Sequence, residues 1–263
     1  MTSATETTDK LLGGRVEIRQ PGSGFRVSVA AVLLAAAVSL GHGQRALDVG
    51  CGAGGATLCL ASRVAQAEVL GIDRDAQMTA CLRASISANG FAGRVVAETM
   101  DVAKGVPDDL RGAFDHVFSN PPYLPPHRAD SRTLADAVGG ATIESLPFAA
   151  WLAFMAACCR PKGRLTIVHR ADRLEDLLAG FAACAGEIKV LPIWPHADSP
   201  AKRVIITARV GVQTPTMLCP GLVLHTADGA YTSAARDVIE AGEALAFGVT
   251  PDRATGQATA PPA

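Results

Sequence analysis

Charged and aromatic residues are scarce in this 263-residue sequence, at 19% and 5% of its positions. Hydrophobic residues make up 49%, so the composition excludes a disordered chain, a coiled coil and a collagen-like repeat. The length allows a buried core without a metal or a disulfide. We therefore expect a globular protein of one large domain or two small ones.

An excess of positive charge is also missing, because 24 Lys and Arg face 25 Asp and Glu. No overall positive field would draw the protein onto nucleic acid, so such binding requires a local basic patch. The seven cysteines form no Cys-x-x-Cys pair, and no His, Cys or Asp cluster has the spacing of metal ligands. These absences favour a reduced, cytoplasmic protein without a metal.

Long hydrophobic runs are absent as well. The apolar, uncharged run at residues 27–41 is shorter than the ~20 residues that cross a bilayer. We interpret it as a buried helix and expect no membrane partner. A secretory signal is disfavoured, because the segment before this run is polar and no small-x-small cleavage site is present.

Short apolar runs alternate with helix-length stretches from residue 45 onward, which is the pattern of strands joined by crossover helices. Strands are predicted at 45–50, 68–72, 94–98, 114–119, 164–169, 188–191 and 203–210. Helices are predicted at 55–65, 75–89, 149–159, 172–183 and 232–241. Strands apolar on both faces indicate a doubly wound α/β fold with a mostly parallel sheet, whose ligands bind at the carboxyl ends of the strands.

A glycine-rich turn follows the first strand. Glycines allow a sharp turn and the close approach of a ligand. Gly50, Gly52 and Gly55 match the G-x-G-x-x-G of dinucleotide enzymes, whereas Gly50, Gly52 and Gly54 match the G-x-G-x-G of S-adenosylmethionine enzymes. Asp73 ends the second strand, where a carboxylate can accept both ribose hydroxyls of either cofactor. The turn and this carboxylate therefore leave the choice of nucleotide open.

The segment Ser119-Asn120-Pro121-Pro122-Tyr123 separates these possibilities. Its prolines stiffen the strand exit and remove two donors, which leaves the Asn120 amide oxygen and the Pro121 carbonyl as fixed acceptors. Such acceptors suit a planar NH2 group, whose lone pair is otherwise delocalised and poorly nucleophilic. They can orient that lone pair toward an electrophilic methyl group, and Tyr123 can stack on the planar target.

These motifs resemble those of class I S-adenosylmethionine-dependent methyltransferases that act on planar NH2 nitrogens through an Asn-Pro-Pro-Tyr motif. The resemblance implies a Rossmann-like, seven-stranded sheet in the order 3-2-1-4-5-7-6, with strand 7 antiparallel. It implies catalytic roles for Asn120, Pro121, Pro122 and Tyr123. It implies cofactor contacts for Ser28, Asp48, Gly50, Cys51, Gly52, Gly54, Asp73, Arg74, Asp101, Val102 and Asn120.

The flanking segments resemble the bacterial tRNA(Val) adenine N6-methyltransferase-like family. The matching segments are Leu11-Leu12-Gly13-Gly14-Arg15, Gln20-Pro21, Gly24-Phe25-Arg26, Pro200-Ala201-Lys202-Arg203 and the His225-x-x-Asp228-Gly229-x-Tyr231-Thr232 motif. This resemblance implies an RNA substrate, with tRNA as the expected class. Ala30 departs from the family, which commonly has Asp there, and the Ser28 hydroxyl is a possible substitute.

Substrate contacts are expected from the basic residues Arg26, Arg170, Lys202 and Arg203, and from the loop at 124–146. The local density of basic residues is modest: five of them, Arg160, Lys162, Arg164, Arg170 and Arg173, lie within fourteen residues. The chain is divided into an N-terminal arm and helix covering the cofactor site (1–44), a methyltransferase core (45–210), a C-terminal appendage (211–249) and a disordered tail (250–263). A monomer or weak dimer is expected.

Three other functions remain open. A glutamine N5-methyltransferase acting on a release factor would use the same chemistry, but only 47 residues precede Asp48, which leaves little room for an additional helical domain. An inactive binding module is suggested by Ala30 and the weak net charge. A nicotinamide oxidoreductase would leave the Asn120 to Tyr123 motif unexplained.

Overall fold

A central β-sheet organises the computed structural model, which describes residues 6–22, 26–122 and 146–248. Within these residues the strands are β1 Glu6–Leu11, β2 Val16–Pro21, β3 Arg45–Val49, β4 Glu68–Asp73, β5 Val95–Thr99, β6 Phe114–Ser119, β7 Cys159–Arg170, β8 Ala185–Trp194, β9 Arg203–Val210, β10 Met217–Leu218 and β11 Leu222–Val223. The helices are α1 Val29–Ala37, α2 Gly55–Arg63, α3 Ala76–Ala88, α4 Phe148–Cys158, α5 Leu174–Ala182 and α6 Ser233–Ile239.

The strand order of the main sheet is β5-β4-β3-β6-β7-β9-β8, with the short strands β10 and β11 both paired to the outer side of β8. Strand β9 runs antiparallel to β7 and β8, and the neighbouring strands from β5 to β7 are parallel. Counted from β3, this is the order 3-2-1-4-5-7-6 with an antiparallel seventh strand. The predicted topology is therefore confirmed.

Helices cover both faces of the sheet. Consecutive residues of a strand point to opposite faces, and accordingly Ala46 packs in one buried cluster and Leu47 in the other. The cluster around Ala46 contains the apolar residues of α1, α2 and α3, whereas that around Leu47 contains those of α4 and α5. Burial on both faces explains why the strands read as continuous apolar runs.

An antiparallel hairpin of β1 and β2 precedes the main sheet. The sequence predicted no strands there, and that part of the prediction is wrong. Strand β1 carries polar residues on both faces, so its sequence has no strand period. The hairpin is held through β2, which packs on α3: the Asn89 side chain accepts the Glu17 N–H at 2.9 Å, and the Ser85 hydroxyl accepts the Arg19 N–H at 2.9 Å.

Short-range hydrogen bonds and a glycine mark the ends of several helices. The Asp75 carboxylate accepts the N–H of Gln77 at 2.8 Å and caps α3, and Gly90 follows that helix with a φ of 68°. The chain turns at Asp228 and Gly229, where the Gly229 N–H donates to the Thr226 carbonyl, and the Thr232 hydroxyl caps α6 by accepting the N–H of Ala235. The described residues contain no helix long and apolar enough to span a bilayer.

Candidate active site

A cavity of about 400 Å³ opens at the carboxyl edge of the sheet, beside the exits of β3, β4, β5 and β6. Its volume lies in the usual range for small-molecule sites. The predicted site residues that line it are Asp48, Gly50, Cys51, Gly52, Asp73, Arg74, Asp101, Val102, Asn120, Pro121 and Pro122. Ser28 and Gly54 are not among the described residues that line it, and Tyr123 lies outside the described residues.

The backbone of the glycine turn has a conformation that residues with side chains rarely adopt. Gly50, Gly52 and Gly54 all have positive φ, at 72°, 54° and 92°. A Cβ at Gly52 would meet no atom within 4 Å, so this position leaves open space beside the cavity. A Cβ at Gly54 would instead lie 2.2 Å from Cδ1 of Leu82. Gly54 thus lets α3 pack closely against the turn.

Asp73 is fixed by two backbone donors. One carboxylate oxygen accepts the Gly52 N–H at 2.8 Å, and the other accepts the Asp75 N–H at 2.9 Å. Each oxygen of a carboxylate can accept more than one hydrogen bond. Asp73 can therefore also accept hydroxyl groups of a ligand in the cavity.

Asp48 lies beneath the glycine turn and is 2% exposed. Burial raises the pKa of its carboxyl from 3.8 to about 7, although the hydroxyl of Thr57 opposes this shift by donating a hydrogen bond over 2.6 Å. The negative charge of Asp73 adds to the rise. Burial likewise raises the pKa of the Cys51 thiol well above its usual value, so this thiol is not an available nucleophile.

The other end of the cavity follows β5. The Asp101 carboxylate accepts the Ala103 N–H at 3.0 Å and caps a short turn that begins at Val102. The Met100 N–H donates to the Asp73 carbonyl at 2.8 Å, which joins this segment to the tip of β4. Apolar contacts here come from Val102, Met78 and Met100, of which sequence reasoning identified only Val102.

The wall opposite Asp73 follows β6. Asn120, Pro121 and Pro122 line it, and Pro121 is buried. Trp151 from α4 lines the same cavity and was not predicted. In the sequence, Trp151 belongs to a uniformly apolar helix, so nothing distinguished it from an ordinary core residue.

The N-terminal segment reaches the cavity through Val27 and Ala31, which lie on either side of Ser28 and Ala30. Ser28 is the N-cap residue of α1 but accepts no capping hydrogen bond, and Ala30 is buried. Arg26, expected at the substrate, forms an ion pair with Asp9 of β1.

The other expected substrate residues meet at the carboxyl edge of the sheet. Arg170 ends β7 and pairs with Arg203 at the start of β9, next to the exposed Lys202. Arg170 also binds the Asp172 carboxylate, with its Nε 3.0 Å from Oδ1. Along β7, Arg164 is separated from Arg170 by about 20 Å of extended strand.

Nucleotide ligands suit this cavity, since it combines an open glycine turn, an oriented carboxylate and apolar side chains. Within the described parts of the chain, no group of three or more His, Cys, Asp or Glu is placed to share a metal ion.

Comparisons with known proteins agree on the class. The family model described as methyltransferase small domain matches residues 23–144. A Porphyromonas gingivalis protein named tRNA1(Val) (adenine(37)-N6)-methyltransferase is 31% identical over 240 residues, which cover 86% of this chain and 91% of that protein.

Two solved structures are similar. A predicted O-methyltransferase of Agrobacterium tumefaciens has a TM-score of 0.69 and 25% identity, over 82% of this chain and 98% of its own. A 16S rRNA N2 methyltransferase of T. thermophilus, in complex with AdoMet and guanosine, has a TM-score of 0.55 and 26% identity, over 78% of this chain and 50% of its own.

The fold and the cavity are thus those of a Rossmann-like methyltransferase. The chain belongs to the family of S-adenosylmethionine-dependent methyltransferases that includes the tRNA1(Val) (adenine(37)-N6)-methyltransferases. The predicted enzyme class is confirmed, and the nicotinamide oxidoreductase is set aside.

Proposed function

We propose that this protein methylates the N6 amine of an adenosine in RNA, with tRNA as the substrate class. The observation that carries the proposal is the placement of Asn120 and Pro121 in the wall of the cavity that also holds the glycine turn and Asp73. The name and 31% identity of the Porphyromonas gingivalis relative support the choice of adenine and of tRNA.

The cofactor is assigned to the half of the cavity formed by the exits of β3, β4 and β5. Gly50 and Gly52 would allow its close approach, Asp73 would accept its ribose hydroxyls, and Asp101 and Val102 would contact its base. When bound, S-adenosylmethionine supplies a methyl group attached to a positively charged sulfur.

The acceptor amine is assigned to the exit of β6. The Asn120 amide oxygen and the Pro121 carbonyl accept its two N–H groups, which turns the nitrogen lone pair toward the cofactor half of the cavity. These acceptors also stabilise the positive charge that develops on nitrogen. No general base is required, because a methylated, cationic amine loses its proton readily to water.

The test is to incubate the protein with labelled S-adenosylmethionine and, separately, unmodified tRNA, ribosomal RNA and release factor, followed by mass spectrometry of the products. N6-methyladenosine in tRNA that is absent from reactions of the Asn120→Ala variant is the expected result. Label in ribosomal RNA alone would contradict the tRNA assignment. Label in the release factor would establish glutamine methylation instead.

A further inference from the structure

Two hydrogen bonds in series connect the two halves of the cavity. The indole N–H of Trp151 donates to the hydroxyl of Ser119 over 3.0 Å, and this hydroxyl donates to the carbonyl of Val49 over 2.7 Å. Ser119 directly precedes Asn120, and Val49 directly precedes Gly50. The connected residues are therefore the last residues before the acceptor segment and before the glycine turn.

The Trp151 ring also packs against the glycine turn itself. A Cβ at Gly50 would lie 2.9 Å from Cζ2 of Trp151, closer than real Cβ contacts. The ring is 8% exposed, and it lines the cavity together with Asn120 and Pro121. Trp151 thus contacts one half of the cavity with its ring and holds the exit of the other half through Ser119.

We propose that Trp151 is a positioning residue of the methyl-transfer site, which fixes Asn120 relative to the glycine turn. This inference rests on the proposed function of Asn120. The wider fold does not require the connection, because β3 and β6 are already paired along their length, from Ala46 opposite His116 to Val49 opposite Ser119. The two hydrogen bonds act where that pairing ends, which is where the separation of the two turns is set.

The Trp151→Phe variant keeps an aromatic ring and removes the N–H donor. We expect kcat to fall by about tenfold or more, because small displacements of reacting groups are costly. The dissociation constant of S-adenosylhomocysteine, measured by calorimetry, should change by less than about threefold. The matched control is Trp194→Phe at the end of β8, which makes the same change in a side chain that does not line the cavity and should retain the wild-type kcat.

Ser119→Ala removes both hydrogen bonds and retains the indole. If the two bonds act as one connection, the variant with both changes should have the kcat of the worse single variant. Losses that multiply would contradict the proposal, as would a Trp151→Phe variant with the kcat of Trp194→Phe. Circular dichroism gives the melting temperature of each variant. A melting temperature below the assay temperature identifies a variant that loses activity because it unfolds.

Fluorescence provides a readout that needs no acceptor. The chain has two tryptophans, so the Trp194→Phe variant reports Trp151 alone. Its emission should change when S-adenosylmethionine is added, and the emission of Trp151→Phe should not. If calorimetry shows that the protein is saturated with cofactor and the Trp151 emission is unchanged, the placement of the ring at the site is wrong. Failure of the wild type to methylate any RNA, with a normal fluorescence response, would instead overturn the proposed function.

Discussion

The carboxylate of Asp73 and the backbone N–H of Gly52 are joined by a hydrogen bond of 2.8 Å, although they lie 21 residues apart. This bond fixes the tip of β4 against the turn that follows β3. The turn therefore keeps its shape without a ligand, and the carboxylate keeps one direction into the cavity. Both effects lower the ordering that ligand binding requires.

Asp73→Asn should weaken the binding of S-adenosylhomocysteine by about ten- to a hundredfold, the range expected when a hydrogen bond to a charged group is lost. The reason is that the amide nitrogen of Asn cannot accept a hydrogen bond from a ribose hydroxyl. Titration calorimetry measures the effect. Asp198→Asn, which makes the same change at an exposed position between β8 and β9, is the control and should bind as the wild type does. Equal affinities for both variants would refute the ribose role of Asp73.

Gln20 holds the N-terminal segment that reaches the cavity. It is 2% exposed, its amide oxygen accepts the Val27 N–H at 2.9 Å, and its amide nitrogen donates to Asp9. Val27 lines the cavity and also contacts the turn, because a Cβ at Gly55 would lie 2.6 Å from its Cγ1. Gln20 thus connects the hairpin to the cofactor half of the cavity.

Gln20→Leu should weaken S-adenosylhomocysteine binding by about five- to tenfold, since one hydrogen bond to the segment that carries Val27 is lost. The variant should also unfold at a lower urea concentration, because Asp9 loses a partner. Calorimetry and urea titration give the two quantities. Gln66→Leu places the same substitution at an exposed position and is the control. Wild-type affinity in a folded Gln20→Leu protein would contradict this role.

Asn120→Ala should lower kcat by about a hundred- to a thousandfold, by analogy with the loss of one group that stabilises charge in a transition state. The affinity for S-adenosylhomocysteine should stay within about threefold of the wild type, because the proposed function assigns Asn120 mainly to the acceptor amine. Single-turnover methylation of tRNA and calorimetry measure these quantities. If the variant binds the cofactor poorly but has a normal kcat at saturating cofactor, Asn120 acts in cofactor binding instead.

The sequence predicted the features that depend on neighbouring residues. The glycine turn and Asp73 were identified because each lies at the end of a strand that the local sequence predicts. Trp151 was not, since its contact with Ser119 spans 32 residues and is invisible in an apolar helix. The ion pair of Arg26 with Asp9 was not predicted either, because it depends on the hairpin, which is itself stabilised by packing on α3.

Asp48 should make stability depend on pH. Its pKa rises from 3.8 in the unfolded chain to about 7 in the fold. Between these values the folded state holds a proton that the unfolded state has lost. The Asp48 contribution to the free energy of unfolding therefore falls as the pH rises from about 4 to about 7, by about 1.4 kcal/mol per unit at most, and is level above that range.

Asp48→Asn removes this titration and keeps an acceptor for the Thr57 hydroxyl. Urea titrations without cofactor give the unfolding free energy of each protein. The value for the wild type minus the value for the variant should decrease steadily from pH 4.5 to pH 7. His116, whose pKa burial lowers to about 4, acts in the opposite direction, but it is present in both proteins and cancels in the difference. A difference independent of pH would contradict the raised pKa.

Lys202 tests the substrate surface. It is exposed beside Arg203 at the carboxyl edge of the sheet, the edge to which the proposed function assigns the acceptor, whereas Lys162 is exposed near the opposite end of β7. Lys202→Ala should raise the KM for tRNA and lower the salt dependence of binding by about one counterion, because one phosphate contact is lost. Lys162→Ala is the matched control and should keep both values. Equal salt dependence for the two variants, measured by filter binding over a range of KCl concentrations, would show that RNA does not contact Lys202.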